Sequence, residues 1–251
     1  MESNQSKNES FGFERVSAQE KTKLVQDVFH RVASRYDLMN DAMSLGLHRL
    51  WKDTFVAQLP LKPHFSHIDM AGGTGDITQR IMSRALKTNL RGTVVMADLN
   101  PSMLVQARLP LAAPAFVTKM CMNAEILPIE SNTFDSYTIA FGLRNVTKQE
   151  RALAEAYRVL KPGGVFMCLE FSQVSNPFLA KIYDFYTLKV VPKVGKVVAD
   201  DEAAYRYLGE SIKRFHPPHI LSQMMEAVGF SSVGSQQLSG GIVAIHTGWK
   251  S

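Results

Sequence analysis

The sequence predicts an α/β protein built around a doubly wound, mostly parallel sheet, and three observations predict it. Five short apolar runs, at 66–71, 93–98, 115–122, 136–141 and 165–171, alternate with helically spaced stretches at 77–86, 102–109 and 149–160. Strand, helix, strand in repetition closes by right-handed crossovers and makes the strands parallel neighbours. The second observation is a glycine-rich turn, Gly72-Gly73-Thr74-Gly75, directly after the first run. The third is the chain end, where runs 232–238 and 241–247 meet at Ser239-Gly240. A tight connection there makes a hairpin and adds an antiparallel edge, for seven strands in a Rossmann-like sandwich.

The elements flanking this core follow from spacing and capping. Ser17-Ala18-Gln19-Glu20 is a capping box, and it opens a helix in which Leu24, Val25, Val28, Phe29, Val32, Ala33 and Tyr36 share a face. A second helix holds Leu47, Leu50, Trp51 and Phe55 and ends before Pro60 and Pro63, whose rings cannot continue it. Between the fifth strand and the hairpin, residues from about 172 to 216 read as a helical insertion. Residues 1–16 are polar at their start and are expected to be a disordered tail before a single domain over 17–251.

Composition narrows the function classes. The chain has 251 residues, 45% hydrophobic and 20% charged, and its apolar runs fall far short of a membrane-spanning helix. The start carries no secretory signal, and Glu2 and Glu9 speak against a transit peptide, so a cytoplasmic location is expected. The formal net charge is +5, but Lys and Arg are scattered without a run of five, so no nucleic-acid partner is expected. Cys121 and Cys168 lie in apolar strand-like runs and are expected to be reduced, buried thiols, with no metal site. Residues 181–196 mix four lysines with aromatic and aliphatic side chains, a pattern that suits contact with a membrane surface at its inner face.

The glycine turn sits where open α/β sheets bind ligands, at the carboxyl end of a strand. Asp98 ends the second strand, where its carboxylate can accept both hydroxyls of a ribose or cap the helix that begins near Pro101. The turn lacks the third glycine of a dinucleotide loop and carries Asp76, expected to repel phosphates but not an ammonium or a sulfonium. S-adenosylmethionine has that charge pattern. Asn123 and Ala124 end the third strand and can meet the adenine.

These segments, with Leu160-Lys161-Pro162-Gly163-Gly164, resemble class I S-adenosylmethionine methyltransferases. Three further stretches narrow the resemblance: Tyr36-Asp37-Leu38-Met39-Asn40-Asp41, Phe141-Gly142-Leu143-Arg144-Asn145-Val146 and Tyr205-Arg206-Tyr207-Leu208. They are similar to the ubiquinone/menaquinone biosynthesis C-methyltransferase (UbiE) family. The resemblance implies carbon methylation of a prenylated quinol, either a 2-methoxy-6-polyprenyl-1,4-benzoquinol or demethylmenaquinol. It implies cofactor contacts at Thr74, Asp98, Asn123 and Ala124, with Gly72 in the loop. Familiar members carry a serine where this chain has Ala140, which removes one hydroxyl from the cofactor site.

Methylation at carbon needs an electron-rich ring, and a phenol with a pKa near 10 is ionised only about one part in a thousand at neutral pH. Arg144, at the end of the fourth strand, can stabilise the ionised form, and Asp41 and His48 are candidate bases. Asn145 completes the catalytic candidates, and Tyr36, Asn40 and Tyr205 are candidates for the substrate pocket. An isoprenoid tail calls for an apolar, membrane-facing route, and partners include other quinone-biosynthesis enzymes or a second copy in a homodimer. Two readings compete: a methyltransferase for another small molecule or RNA, and a noncatalytic scaffold in a quinone-synthesis complex.

Overall fold

In the computed structural model, which describes residues 9–109, 116–174 and 177–251, β1 (Glu9–Phe11) and β2 (Glu14–Val16) form an antiparallel hairpin. This corrects residues 9–16 of the tail expected over 1–16; residues 1–8 lie outside the described residues. Phe11 stacks on Tyr207 with ring centroids 4.2 Å apart, and Glu9 pairs with Lys148 at 2.5 Å. Those partners are remote in sequence, so a polar local composition concealed the pairing.

The capping box forms: Ser17 Oγ accepts from the Glu20 amide at 3.3 Å, and the Glu20 carboxylate accepts from the Ser17 amide at 2.8 Å. It opens α1 (Ala18–Val32), which buries Val25, Val28 and Val32. The single helix expected through Tyr36 is broken by a 3-10 turn, Ala33–Arg35, before α2 (Tyr36–Ser44), because Arg35 leaves helical geometry at φ −121°, ψ 17°. Next comes α3 (His48–Gln58), with Trp51 and Phe55 buried.

Seven strands make the main sheet: β3 (Phe65–Met70), β4 (Gly92–Asp98), β5 (Val117–Cys121), β6 (Phe134–Ala140), β7 (Leu160–Phe171), β8 (Ser231–Leu238) and β9 (Val243–Trp249). Their spatial order is β5-β4-β3-β6-β7-β9-β8. The first five are parallel, while β9 runs antiparallel to both β7 and β8, which is the arrangement the sequence predicts. The crossovers carry α4 (Asp76–Lys87), α5 (Pro101–Gln106) and α6 (Gln149–Val159).

Helix α5 is three residues shorter than expected at its end, because Ala107 turns extended and the Lys119 ammonium takes the Leu104 and Ala107 carbonyls. Position 115 of the expected third strand lies outside the described residues. β5 is an edge strand, so Cys121 is exposed rather than buried, while Cys168 in β7 is buried as expected; both are free thiols.

After β7 the chain runs through α7 (Pro177–Phe185), a π-helical stretch Tyr186–Val190, α8 (Val191–Ala199), α9 (Glu202–Arg214) and α10 (Pro218–Ala227). One face of the sheet packs with Val28, Phe55, Ile81 and Tyr205, and the other packs Ile68, Tyr137 and Phe166 against Leu153, Leu221 and Met225. No described helix is long and apolar enough to cross a membrane.

Candidate active site

Strand order reverses between β3 and β6, so the loops leaving their carboxyl ends diverge and open a crevice there. That crevice encloses about 790 Å³ of empty space, part of it open to solvent. Its walls come from α1 (Gln26, Phe29), the turn after β3 (Ala71, Gly73), Asp98, Asn123, Ala124, and the segment after β6 (Phe141, Gly142, Asn145).

The turn requires its glycines. Gly73 holds a φ of +56°, and a Cβ on Gly72 would stand 2.8 Å from Met96 Cγ. Its amides are engaged within the fold: Gly72 donates to the Ala97 carbonyl at 2.9 Å, Gly73 to Asp98 Oδ2 at 2.9 Å and Gly75 to the Gly72 carbonyl at 2.8 Å. A pyrophosphate needs such amides free. This is what disfavours a dinucleotide, rather than the charge of Asp76. Asp76 is neutralised by Lys52 at 2.7 Å and by Arg80, which corrects the expected repulsion.

Beneath the turn runs a buried polar chain. His67 bonds Ser136 Oγ at 2.7 Å and Thr138 Oγ1 at 2.9 Å, and Asp69 accepts from Thr138 at 3.0 Å and from Thr78 at 2.7 Å. Burial pushes the Asp69 carboxyl up to about 6 against those hydroxyls, and burial pushes the His67 imidazole down to about 3.

Asp98 is the acid of the cleft. Oδ2 accepts from Gly73 and Oδ1 from the Asn100 amide at 2.8 Å, which leaves lone pairs on both oxygens for two further donors. Burial raises its pKa, and the Asn100, Gly73 and Leu99 amides pull it back. Capping of α5 falls to Asn100, whose side chain accepts from Ser102 at 2.9 Å. Asn123 uses Oδ1 to accept from the Glu125 amide at 2.9 Å, leaving its NH₂ group for an acceptor. A diol acceptor, an amide edge and glycines that admit a ligand fit the ribose and adenine of S-adenosylmethionine.

The remaining candidates divide around Tyr36, which lines the cleft and also a second cavity with Thr74, His48, Asp76 and Arg80. Thr74 therefore faces that second cavity. There His48 Nε2 meets Asp41 Oδ1 at 3.0 Å, and Arg49 donates to Asp41 Oδ2 at 2.8 Å. Burial and the charge of Lys52 lower the His48 pKa. Ala140 is not among the cleft walls, although Ile139 and Phe141 on either side of it are.

Arg144 lines neither of these cavities. It is buried, and its Nη1 donates to Glu170 Oε1 at 2.7 Å and to the Phe141 carbonyl at 2.6 Å. Asn145 lines the cleft, and its Oδ1 accepts from the Tyr207 hydroxyl at 3.0 Å. Burial raises the Tyr36 phenol, opposed by the Arg144 charge and by the Asn40 amide. Asn40 and Tyr205 line neither cavity; Tyr205 is fully buried with its ring closed on Gly195, where α8 packs on α9. Sequence reasoning missed Glu170 and Tyr207. A carboxylate inside the apolar run 165–171 was the signal for Glu170.

A glycine turn after β3, an acid ending β4 and a seven-stranded sheet closed by an antiparallel hairpin define a class I S-adenosylmethionine-dependent methyltransferase. Solved structures share the fold: a SAM-dependent methyltransferase from Thermotoga maritima at TM-score 0.59 and 22% identity, covering 90% of this chain and all of that one (100%). A second, from Methanococcus maripaludis, reaches 0.57 at 16% identity and covers 88% of this chain and 93% of that one.

The family is closer still, because residues 15–250 match the ubiE/COQ5 methyltransferase family and the chain belongs to it. Relatives named ubiquinone/menaquinone biosynthesis C-methyltransferase UbiE are 51% identical in Zymomonas mobilis, over 96% of this chain and 98% of theirs. In Brucella abortus the identity is 48%, over 96% of this chain and 90% of theirs.

Proposed function

We propose that this protein transfers the methyl group of S-adenosylmethionine to a ring carbon of a prenylated quinol, a 2-methoxy-6-polyprenyl-1,4-benzoquinol or demethylmenaquinol, in ubiquinone and menaquinone biosynthesis. The observation that carries the reading is the junction at Phe141–Asn145. The same short segment walls the cofactor cleft through Phe141, Gly142 and Asn145 and sets a buried guanidinium directly behind it.

The cofactor supplies a methyl group on a positively charged sulfur. Asp98 would hold its ribose and Asn123 and Ala124 its adenine, with Gly72 and Gly73 admitting it close to the backbone. Arg144 favours the ionised ring hydroxyl, which makes the neighbouring ring carbon nucleophilic. When bound, the cofactor would supply the methyl to that carbon as its methyl–sulfur bond breaks, and the same carbon would give up its proton. His48, which lines the second cavity, and its partner Asp41 are the candidate acceptors of a proton, and alignment of the reactants supplies much of the remaining rate. Thr74 lines that second cavity, and Tyr36, which lines both cavities, borders the ring.

The α7–α8 surface suits a lipid-borne substrate. Phe178, Ile182, Phe185 and Val197 are all at least half exposed, and Lys189 and Lys193 flank an open apolar groove there. Contact with an anionic membrane surface follows, and Phe185→Asp should abolish flotation with anionic vesicles; flotation equal to wild type would remove that contact. The activity itself is tested by transfer of labelled methyl to a short-tailed demethylmenaquinol under reducing conditions. Wild type should yield methylated quinol, and Asp98→Ala should lose about 100-fold or more, as expected for two charge-assisted hydrogen bonds. Cofactor binding without any methylated quinol would refute the reading.

A further inference from the structure

Resting on that reading, we infer that Tyr183 on α7, together with Ser172 and the free edge of Arg144, forms the site that grips the ring hydroxyl adjacent to the methylated carbon. Buried polar atoms in proteins almost always have hydrogen-bond partners. Here the Arg144 Nε, the Ser172 Oγ and the Tyr183 hydroxyl are all buried and have none among the described residues.

The three belong to one neighbourhood. Arg144 uses Nη1 for Glu170 and Phe141, and its guanidinium lies over the Phe171 ring at 5.3 Å from the centroid. Ser172 directly follows Phe171, the last residue of β7, and its amide donates to the Ile242 carbonyl at 2.9 Å. Tyr183 packs against the core cluster that contains Phe141 and Phe171, and the Arg144 charge acts on its hydroxyl against the effect of burial.

Chemistry favours a phenol oxygen over other occupants. Nε of Arg144 can only donate, while the two hydroxyls can donate or accept. A phenolic oxygen accepts two or three such bonds, more strongly when ionised, and its carbon frame finds the apolar walls of Phe141 and Phe171. The site adjoins the cofactor cleft through Phe141, whose carbonyl binds Arg144 and whose ring walls the cleft.

Helix α7 is suited to deliver Tyr183 as the ring enters. None of its residues is fully buried, and it is followed by a π-helical stretch, a feature often found at functional sites. That stretch is anchored on α9 at Gly209, where a Cβ would stand 2.6 Å from the Thr187 carbonyl. α9 in turn holds Asn145 through Tyr207.

The test is Tyr183→Phe, with Ser172→Ala as a second variant, assayed with short-tailed demethylmenaquinol beside wild type. Tyr183→Phe should lower kcat/KM about 10-fold, as one lost hydrogen bond to a charged oxygen implies. It should move the midpoint of the rate's rise with pH upward by about one unit, and leave the dissociation constant for S-adenosylmethionine unchanged. Ser172→Ala should lower kcat/KM about 3-fold or more, also without loss of cofactor affinity. An unchanged kcat/KM and pH profile in Tyr183→Phe would overturn the inference, as would an equal loss of cofactor affinity, which marks a packing defect. Failure of the wild type to methylate the quinol would instead defeat the reading on which the inference rests.

Discussion

The cofactor cleft and the layer formed by α7 to α9 meet at Arg144, yet they are built on opposite terms. Around the cleft the protein satisfies its own polar groups. Asp98 takes two backbone amides, Asp69 two hydroxyls, and the Gly72 and Gly75 amides close on neighbouring carbonyls. In the adjoining layer, Arg144, Ser172, Tyr183 and Tyr205 each keep a buried polar atom without a partner, while Phe178, Ile182 and Phe185 face solvent. The first region holds its shape before any ligand arrives; in the second, Arg144, Ser172 and Tyr183 find partners with a substrate in place.

This contrast predicts different responses to mutation. The largest effect on stability falls at the junction. Arg144→Met leaves Glu170 uncompensated in the interior, where it still accepts the Arg144 and Phe171 amides. A broken buried pair costs about 3–5 kcal/mol, measured by urea denaturation. Asp98→Asn should cost less than about 1 kcal/mol while weakening cofactor binding, since the amide oxygen keeps one backbone bond. If the two variants are equally stable, the junction is not the shared structural element that the geometry implies.

A smaller effect separates the titrating groups under the turn. The His67 pKa is lowered to about 3 in the folded state, so stability present above pH 6.5 is lost as pH falls, by about 2 kcal/mol between pH 7 and 5. Asp69 has the opposite sign. Its pKa is raised to about 6, so folding regains stability as pH falls through 6 towards the ordinary carboxylate value, about 1 kcal/mol over the same interval. Asp69→Asn removes that gain, and the loss on acidification should steepen by about 1 kcal/mol. An unchanged slope would show that Asp69 titrates normally.

The same contrast decided what could be read from the sequence. The cleft is assembled from short motifs at strand ends, so periodicity placed β3 to β7, and the turn, Asp98 and Asn123 were found by position alone. The second region depends on contacts between remote segments. Nothing local told that 9–16 would form a hairpin on Tyr207, that Asp76 would be paired with Lys52, or that Tyr205 would serve the α8–α9 contact. Arg144 was found as a residue, but its partner Glu170 was hidden in an apolar strand. Tyr183 read equally well as part of a greasy surface helix, because its helix neighbours Ile182 and Phe185 are exposed.

The most direct test is amide hydrogen exchange on the intact protein, first with S-adenosylhomocysteine alone and then with S-adenosylhomocysteine plus short-tailed demethylmenaquinol. The demethylated cofactor prevents turnover. The account predicts that the cofactor product alone protects the turn at 71–76, whereas α7 and the π-helical stretch, 177–190, gain protection only when the quinol is added. Full protection of 177–190 by S-adenosylhomocysteine alone, or none with both ligands present, would contradict it.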